Sequence, residues 1–429
     1  MTFPLRIGVA GLGTVGAGVV KLLAEHGRLL SLRGGRPLKL VAVSARSKAR
    51  KRDIDVSHLR WERDPLALAT APDIDVVVEL IGGSRGIARQ LVRKALASGK
   101  HVVTANKALL AMHGAELAAL AEKKGRILAF EAAVAGGIPI IKALREGLVG
   151  NRVKRLYGIL NGTCNYILTT MRETGRDFGA VLAEAQAAGY AEADPSFDID
   201  GIDAAHKLAV LTGAAFGCRV NFEGVHVEGI RRVTSMDIRF AEELGYRIKL
   251  LGLARETKYG IEQRVHPCMV SLKAPIAHIE GVFNAVVVEG DFVGTTMFQG
   301  RGAGQGPTAS AVVADLVDVA RGRDMPAFVV PADRLAAKKV SPMGRHVGAY
   351  YMRLMVQDRP GVIAAISGVL AKERISVESM LQRGRSQSEV PVVLTTHETE
   401  EAAMQRAAAR IGQLRAVAQE PCLIRMEAL

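Results

Sequence analysis

Three places in the sequence combine residue type and spacing in a way that could do chemistry. Gly11-Leu12-Gly13-Thr14-Val15-Gly16 is a glycine run of the kind that lets a backbone loop close on a dinucleotide pyrophosphate. Lys107 follows a short apolar run, His101-Val102-Val103-Thr104, and could present a positive charge beyond the end of a strand. Position alone fits a surface lysine equally well. Asp203 and Lys207 stand four apart in a helical stretch, on one face and one turn from each other. A pair of that spacing is ordinarily a surface salt bridge of little energetic weight. Just upstream, Gly189 and Pro195 punctuate a polar loop that holds Glu192, Asp194, Asp198 and Asp200.

The elements around these residues decide how much they mean. Residues 5–10 (LRIGVA) read as a buried strand that runs straight into the glycines, and residues 17–24 have helix-like composition. Strand, G-x-G-x-x-G and helix in that order are the context that makes the motif informative. Gly11 permits the tight turn, Gly13 lets the pyrophosphate approach the backbone, and Gly16 allows close helix–strand packing. The helix N-terminus then offers free N–H groups to the anion. A second strand over 38–43 ends at Ser44-Ala45-Arg46-Ser47-Lys48. An acid there would hold the ribose 2′-hydroxyl of NAD; Arg46 suits the 2′-phosphate of NADP, though it could also stack on adenine or sit in a solvated basic loop. A third strand over 75–81 ends at Gly82-Gly83-Ser84, and the fourth ends at Ala105-Asn106-Lys107. Ligands bind at such strand ends, so Gly83, Ser84, Asn106 and Lys107 are expected to face the nicotinamide half of the pocket.

Bulk properties set limits. At 429 residues the chain predicts two or three domains, and 49% hydrophobic with 4% aromatic content means cores of Ala, Val, Leu and Ile. No apolar run is long enough for a membrane span, and residues 1–6 lack the pattern of a secretory signal. Four scattered cysteines (Cys164, Cys218, Cys268, Cys422) have neither metal-ligand nor redox spacing, which suits a reducing cytoplasm. The formal charge of +14 raises the question of nucleic acid. The densest basic run, Arg46, Lys48, Arg50, Lys51 and Arg52, has no interleaved aromatics and no helix-turn-helix or zinc pattern, so small anionic ligands are the expected partners instead.

Three longer segments identify a family. Thr104-Ala105-Asn106-Lys107-Ala108-Leu109-Leu110-Ala111, Asn161-Gly162-Thr163-Cys164-Asn165-Tyr166, and Gly189-Tyr190-Ala191-Glu192 through Asp194-Pro195, Asp198, Asp203 and Lys207 resemble the motifs of homoserine dehydrogenases, in order and over the whole chain. The resemblance implies NADPH- or NADH-dependent, reversible reduction of L-aspartate 4-semialdehyde to L-homoserine, on the route to threonine, methionine and isoleucine. It implies Lys207 as general acid and Lys107 as a positive charge beside cofactor and substrate, with the choice of proton donor left open. Asp203 would orient Lys207 or bind substrate, Asp198 would bind substrate, and Glu192 suits the substrate ammonium. His206 points about 100° away from Lys207 on a helix and is read as structural. The segment Glu131-Ala132-Ala133-Val134-Ala135-Gly136-Gly137-Ile138 resembles a family loop that binds a monovalent cation such as sodium, through Glu131 and the carbonyls of Val134, Gly136 and Ile138. Gly302, in the run Gly300 to Pro307, would approach the cofactor. Cys164 stands where relatives often carry a hydroxyl, which puts a polar role there in doubt.

The C-terminal end repeats the β-α-β-β-α-β order of a ferredoxin-like unit, and its Asp358-Arg359-Pro360-Gly361 turn resembles ACT domains, which bind amino acids. L-Threonine is the effector that the resemblance implies; a dimerisation module without ligand is the alternative. The expected architecture is therefore α/β: a Rossmann-type dinucleotide-binding domain over 1–140 completed by about 307–330, an α+β substrate and dimerisation domain over 141–306, a linker over 331–348, and an ACT regulatory domain over 349–429. The 219–299 stretch reads as sheet-forming. A homodimer or homotetramer is expected. The competing readings are a catalytically silent NADP-binding sensor and a dehydrogenase of another amino-acid semialdehyde.

Overall fold

In the computed structural model, which describes residues 3–383 and 389–429, the apolar strands of the first third lie side by side in one sheet. Its strands are β1 (Leu5–Ala10), β2 (Leu38–Ser44), β3 (Arg60–Glu62), β4 (Val76–Glu79), β5 (His101–Thr104) and β6 (Leu128–Ala129). They pair in parallel in the order β3-β2-β1-β4-β5-β6. Val76, Val77 and Val78 are all fully buried, as a parallel sheet covered on both faces requires. The order reverses between β1 and β4, and a crevice opens there at the strand C-termini. The Gln305–Arg321 helix returns to this sheet from far along the chain, and Ala309, Val312 and Leu316 join the core formed by Val19, Val20 and Leu23 of the Thr14–Glu25 helix.

The second sheet contains β7 (Val153–Ile159), β8 (His226–Val227), β9 (Tyr246–Thr257), β10 (Gly260–Ser271), β11 (Phe283–Gly290), β12 (Gly294–Arg301), β13 (Val347–Val356), β14 (Val377–Gln382), β15 (Val390–Thr396), β16 (Thr399–Glu400) and β17 (Cys422–Glu427). The path is β12-β11-β7-β9-β10-β17-β13-β15-β14, with β8 on β10 and β16 on β13. The 219–299 stretch is indeed mostly strand, but it also contains the Ser235–Glu243 helix, which starts on a capping box between Thr234 and Asp237.

The last four strands of the path, with the Val362–Lys372 and Glu401–Gly412 helices, form the expected ferredoxin-like unit. That unit is not merely tethered. Its final strand β17 pairs in parallel with β10, Cys268 opposite Arg425 and Val270 opposite Glu427, so one sheet runs through both domains. Buried ion pairs close the same seam. Arg264, held by Glu262 of its own strand at 2.6 Å, pairs across the seam with Glu427, and Arg353 reaches Asp237 at 2.7 Å. The 331–348 segment, expected as a linker, lies along the middle domain: Ile261 N–H donates to the Lys339 carbonyl and Ser341 N–H to that of Ile261, both at 2.8 Å. Satisfying these backbone groups fixes the segment's course.

Candidate active site

The glycine loop bears out its own logic of sterics. Gly11 has φ +104°, and a Cβ there would sit 2.4 Å from the Leu80 carbonyl oxygen. A Cβ on Gly16 would lie 2.0 Å from the Gly11 oxygen. A Cβ on Gly13 would meet nothing within 4 Å, so the side on which it would point is open to a ligand. Gly13 is also the N-cap of the Thr14–Glu25 helix and supplies no side-chain cap, so the first N–H groups face outward beside the exposed Thr14. Leu12 is buried and Val15 half-buried beneath them. Ala45 packs against the core while Arg46 is exposed at the end of β2. Sequence reasoning missed Arg52, which donates to the carbonyls of Leu12 (3.0 Å), Arg50 (2.8 Å) and Ser47 (2.9 Å) and lies over Trp61. It ties the basic loop to the glycine loop around a cavity of about 250 Å³ lined by Gly13, Thr14, Lys21, Arg50 and Lys51.

A buried polar chain forms the floor of the crevice. Glu79 accepts from the Thr104 hydroxyl (2.6 Å) and from the N–H groups of Ile81 (2.8 Å) and Gly82 (3.0 Å). Thr104 Oγ1 accepts from Asn106 N–H at 3.0 Å, and the Asn106 amide donates to the Gly83 carbonyl at 2.8 Å. Asn106 also caps the Lys107–Lys123 helix through Leu109 N–H. Lys107 is therefore the first helical residue, aimed by a cap, with exposed Gly83 and half-buried Ser84 beside Asn106.

The two lysines meet at one carboxylate. Lys207 Nζ donates to Asp203 Oδ2 at 2.8 Å and to the Leu160 carbonyl at 2.7 Å, and Lys107 Nζ lies 2.9 Å from Asp203 Oδ1. Asn161 donates to both Asp203 Oδ2 and Asp198 Oδ1 at 2.8 Å, and its side-chain Oδ1 caps the Gly162–Thr174 helix by accepting from Cys164 N–H. Burial pushes the Asp203 carboxyl up, but the charges of Lys207 and Lys107 outweigh it and hold the group well below the usual range. For Asp198, burial and the neighbouring Asp203 charge push the carboxyl up. Lys207 keeps about a tenth of its side chain exposed and Lys107 about a third, so the first is locked and the second opens toward the crevice, over Phe197. His206 is stacked on Phe222 with centroids 4.2 Å apart, which agrees with its structural reading. The Cys164 thiol is pushed well up, by burial and then by Asp198 and Asp203, an environment that disfavours the thiolate.

Glu192 is exposed, and among the described residues its side chain makes no ion pair; its carbonyl accepts from Gln186 at 3.0 Å. The 131–138 segment packs backbone to backbone on the return loop: a Cβ on Gly136 would lie 2.5 Å from the Gly302 oxygen. Glu131 accepts from Ile141 N–H (2.9 Å) and Lys142 N–H (2.8 Å), and burial with the nearby Asp315 pushes its carboxyl up to about 7. Among the described residues the carbonyls of Val134 and Gly136 accept no hydrogen bond, while that of Ile138 accepts from Ile140 N–H. Carboxylate and carbonyl oxygens are the ligand types that a hard cation takes.

Known proteins resemble this chain over nearly its whole length. Residues 11–131 match the family model of the homoserine dehydrogenase NAD-binding domain, 139–317 that of homoserine dehydrogenase, and 350–416 that of the ACT domain. The chain is 47% identical to the homoserine dehydrogenases of Neisseria gonorrhoeae and Pseudomonas aeruginosa, with 99% of each chain covered. Among solved structures, it is similar to a homoserine dehydrogenase from Thiobacillus denitrificans, at TM-score 0.94 and 48% identity over 99% of this chain and 98% of that one. A hyperthermophilic archaeal homoserine dehydrogenase in complex with NADPH aligns at TM-score 0.62 and 28% identity, over 74% of this chain and 97% of that one.

Proposed function

The chain belongs to the homoserine dehydrogenase family and is an oxidoreductase, and from that premise we propose that Lys207, Lys107 and Asp203 carry out the reversible reduction of L-aspartate 4-semialdehyde to L-homoserine. The observation behind this is the single carboxylate of Asp203 held between the two ammonium groups. A dinucleotide held in the crevice would supply the hydride that the aldehyde carbon accepts. As charge develops on the carbonyl oxygen, the two ammonium groups stabilise it without reorganising, because Asp203 has already set their positions. Two of the three Lys207 N–H donors are occupied by Leu160 and Asp203, and the third delivers the proton to the alkoxide. Lys107 contributes charge at the mouth. Asp198, kept near Asp203 by Asn161, takes part in substrate binding. Glu192, on the exposed loop, binds the substrate ammonium.

The cofactor is held by Gly11, Leu12, Gly13, Thr14, Val15 and Gly16 at the pyrophosphate, by Ala45 and Arg46 at the adenosine end, and by Gly83, Ser84, Lys107 and Gly302 toward the nicotinamide. NADPH is preferred over NADH. The absence of an acid at the end of β2 and the basic cavity beside Gly13 support this, and the archaeal relative binds NADPH. Glu131 with the carbonyls of Val134, Gly136 and Ile138 holds sodium or a similar ion. L-Threonine acts through the ACT domain, the protein works in the cytoplasm, and it assembles as a homodimer or homotetramer. Among the described residues no helix is long and apolar enough to cross a membrane.

The deciding experiment is a steady-state assay of NADPH and NADH oxidation with aspartate semialdehyde, with and without threonine. Turnover favouring NADPH is expected, and Arg46→Ala should weaken NADPH more than NADH. A folded protein without turnover would leave the silent sensor as the better reading.

A further inference from the structure

One side chain, Asn284, lies against both the return loop and the helix that carries the substrate motif. On the loop, Gly302 has no positive φ, so its backbone conformation does not call for glycine. Contact does: a Cβ there would lie 2.1 Å from both Cγ and Nδ2 of Asn284 and 2.5 Å from its Oδ1. On the other side is Gly162, first residue of the Gly162–Thr174 helix. Its Cβ would lie 2.7 Å from the Val282 carbonyl oxygen and 3.5 Å from Asn284 Oδ1. The preceding residue, Asn161, ties Asp198 to Asp203. Asn284 therefore stands between the loop assigned to the nicotinamide end and the helix that orders the substrate carboxylates.

The backbone holds it firmly there. Asn284 is on β11, opposite Gly300 of β12, and the next residue, Ala285, faces Ile159 of β7. The carbonyl of Phe283 accepts from Asn165 Nδ2 at 3.2 Å, which fastens the strand to the substrate helix. The side chain is only 1% exposed, and neither Oδ1 nor Nδ2 has a hydrogen-bond partner. Among the described residues no other buried side chain has two unpaired polar atoms. Burying an amide in that state is costly, and a leucine of the same branching would avoid the cost. The group against it is a loop backbone, whose peptide N–H and C=O match an amide's acceptor and donors. That loop is anchored at one end, where Gly137 N–H donates to the Arg301 carbonyl at 3.0 Å.

We propose that Asn284 is a positioning residue that takes hold of the Gly302 backbone when the return loop closes on the dinucleotide, and so clamps the nicotinamide half beside the substrate helix. It rests on the dehydrogenase reading for its kinetic readout. The amide acts through the loop and touches neither cofactor nor substrate. Its hydrogen bonds form on closure and persist through the chemical step, so they contribute to cofactor binding in ground state and transition state alike. Losing them raises the KM for NADPH and leaves kcat in place.

The test is Asn284→Leu in the full-length protein, with melting temperatures measured alone, with NADPH and with 2′-phospho-ADP-ribose, which lacks the nicotinamide. Without ligand the variant should melt at or above the wild-type temperature, because an unpaired buried amide has been removed. The rise on adding NADPH should shrink, and the KM for NADPH should increase about tenfold with kcat within about twofold, the size of effect that one or two lost hydrogen bonds produce. The nicotinamide-free fragment should shift both proteins equally. Asn284→Ser, smaller and still polar, takes over the reading if the leucine variant folds poorly. NADPH binding as tight as in the wild type would overturn the clamp and leave the dehydrogenase standing. Equal weakening of NADPH and the fragment would also overturn it, by placing the damage at the glycine loop. If NADPH stabilises the wild type but no turnover occurs, the dehydrogenase reading falls and the melting shifts still decide the role of Asn284. If NADPH does not stabilise the wild type at all, the clamp falls with the cofactor assignment.

Discussion

Lys107 and Lys207, a hundred positions apart in the chain, are held by opposite oxygens of the same Asp203 carboxylate, at 2.9 and 2.8 Å. This bridge is what turns two unremarkable lysines into a preorganised cation pair. Removing one of them should therefore be felt in turnover. We expect Lys207→Ala to lower kcat about 100- to 10,000-fold with little change in NADPH affinity. Asp203→Asn should damage both lysines' positions at once, so combining it with Lys207→Ala costs less than the product of the single effects. Steady-state kinetics of the three variants check this; unchanged kcat in Lys207→Ala removes that residue from the mechanism.

The glycine loop separates structural from ligand-binding glycines. Gly16→Ala places a methyl 2.0 Å from the Gly11 oxygen, so it should lower the melting temperature and cofactor binding together. Gly13→Ala meets nothing in the protein, so the fold should keep its melting temperature while NADPH binding weakens. Calorimetry paired with cofactor titration tells them apart. Equal binding in Gly13→Ala and wild type would move the pyrophosphate elsewhere.

Acid should loosen the seam between the domains. Burial raises the Glu228 carboxyl, but His226 and Arg425 outweigh it and bring the group down to about 2, from an ordinary 4.5. A carboxylate depressed in the folded state contributes stability that is complete above about 4.5 and lost as the pH falls toward 2. Glu228→Gln should therefore flatten the fall in stability across that window and raise protease sensitivity of the C-terminal unit at neutral pH. A variant whose acid-unfolding curve overlays the wild type would show the pair to be idle.

Exchanging sodium for choline in the buffer tests the cation site. An ion bound only by the folded protein stabilises it by mass action, so its loss should lower the melting temperature by about 2 °C or more. Glu131→Gln should abolish that difference. A melting temperature indifferent to the exchange would leave Glu131 as an anchor for the Ile140–Lys142 turn alone.

Much of this molecule is written in local patterns. The strand at 5–10, its three glycines, β5 and the Val362–Lys372 helix all emerge from hydrophobic period and turn chemistry, because those signals depend only on near neighbours along the chain. The same holds for the Asp203–Lys207 pair, one turn apart on a single helix. Tertiary structure alone decided the rest. Four-residue spacing is silent on whether a pair is buried, and it took the packing of Lys107, Leu160 and Asn161 around Asp203 to convert a surface-type salt bridge into the centre of a site. The floor of Glu79, Thr104 and Asn106, the latch of Arg52 on Leu12, and the fusion of β17 to β10 likewise join residues 25 to more than 150 positions apart. Hydrogen bonds and ion pairs act over a few ångströms of space, and separation along the chain carries no record of where a fold brings their partners.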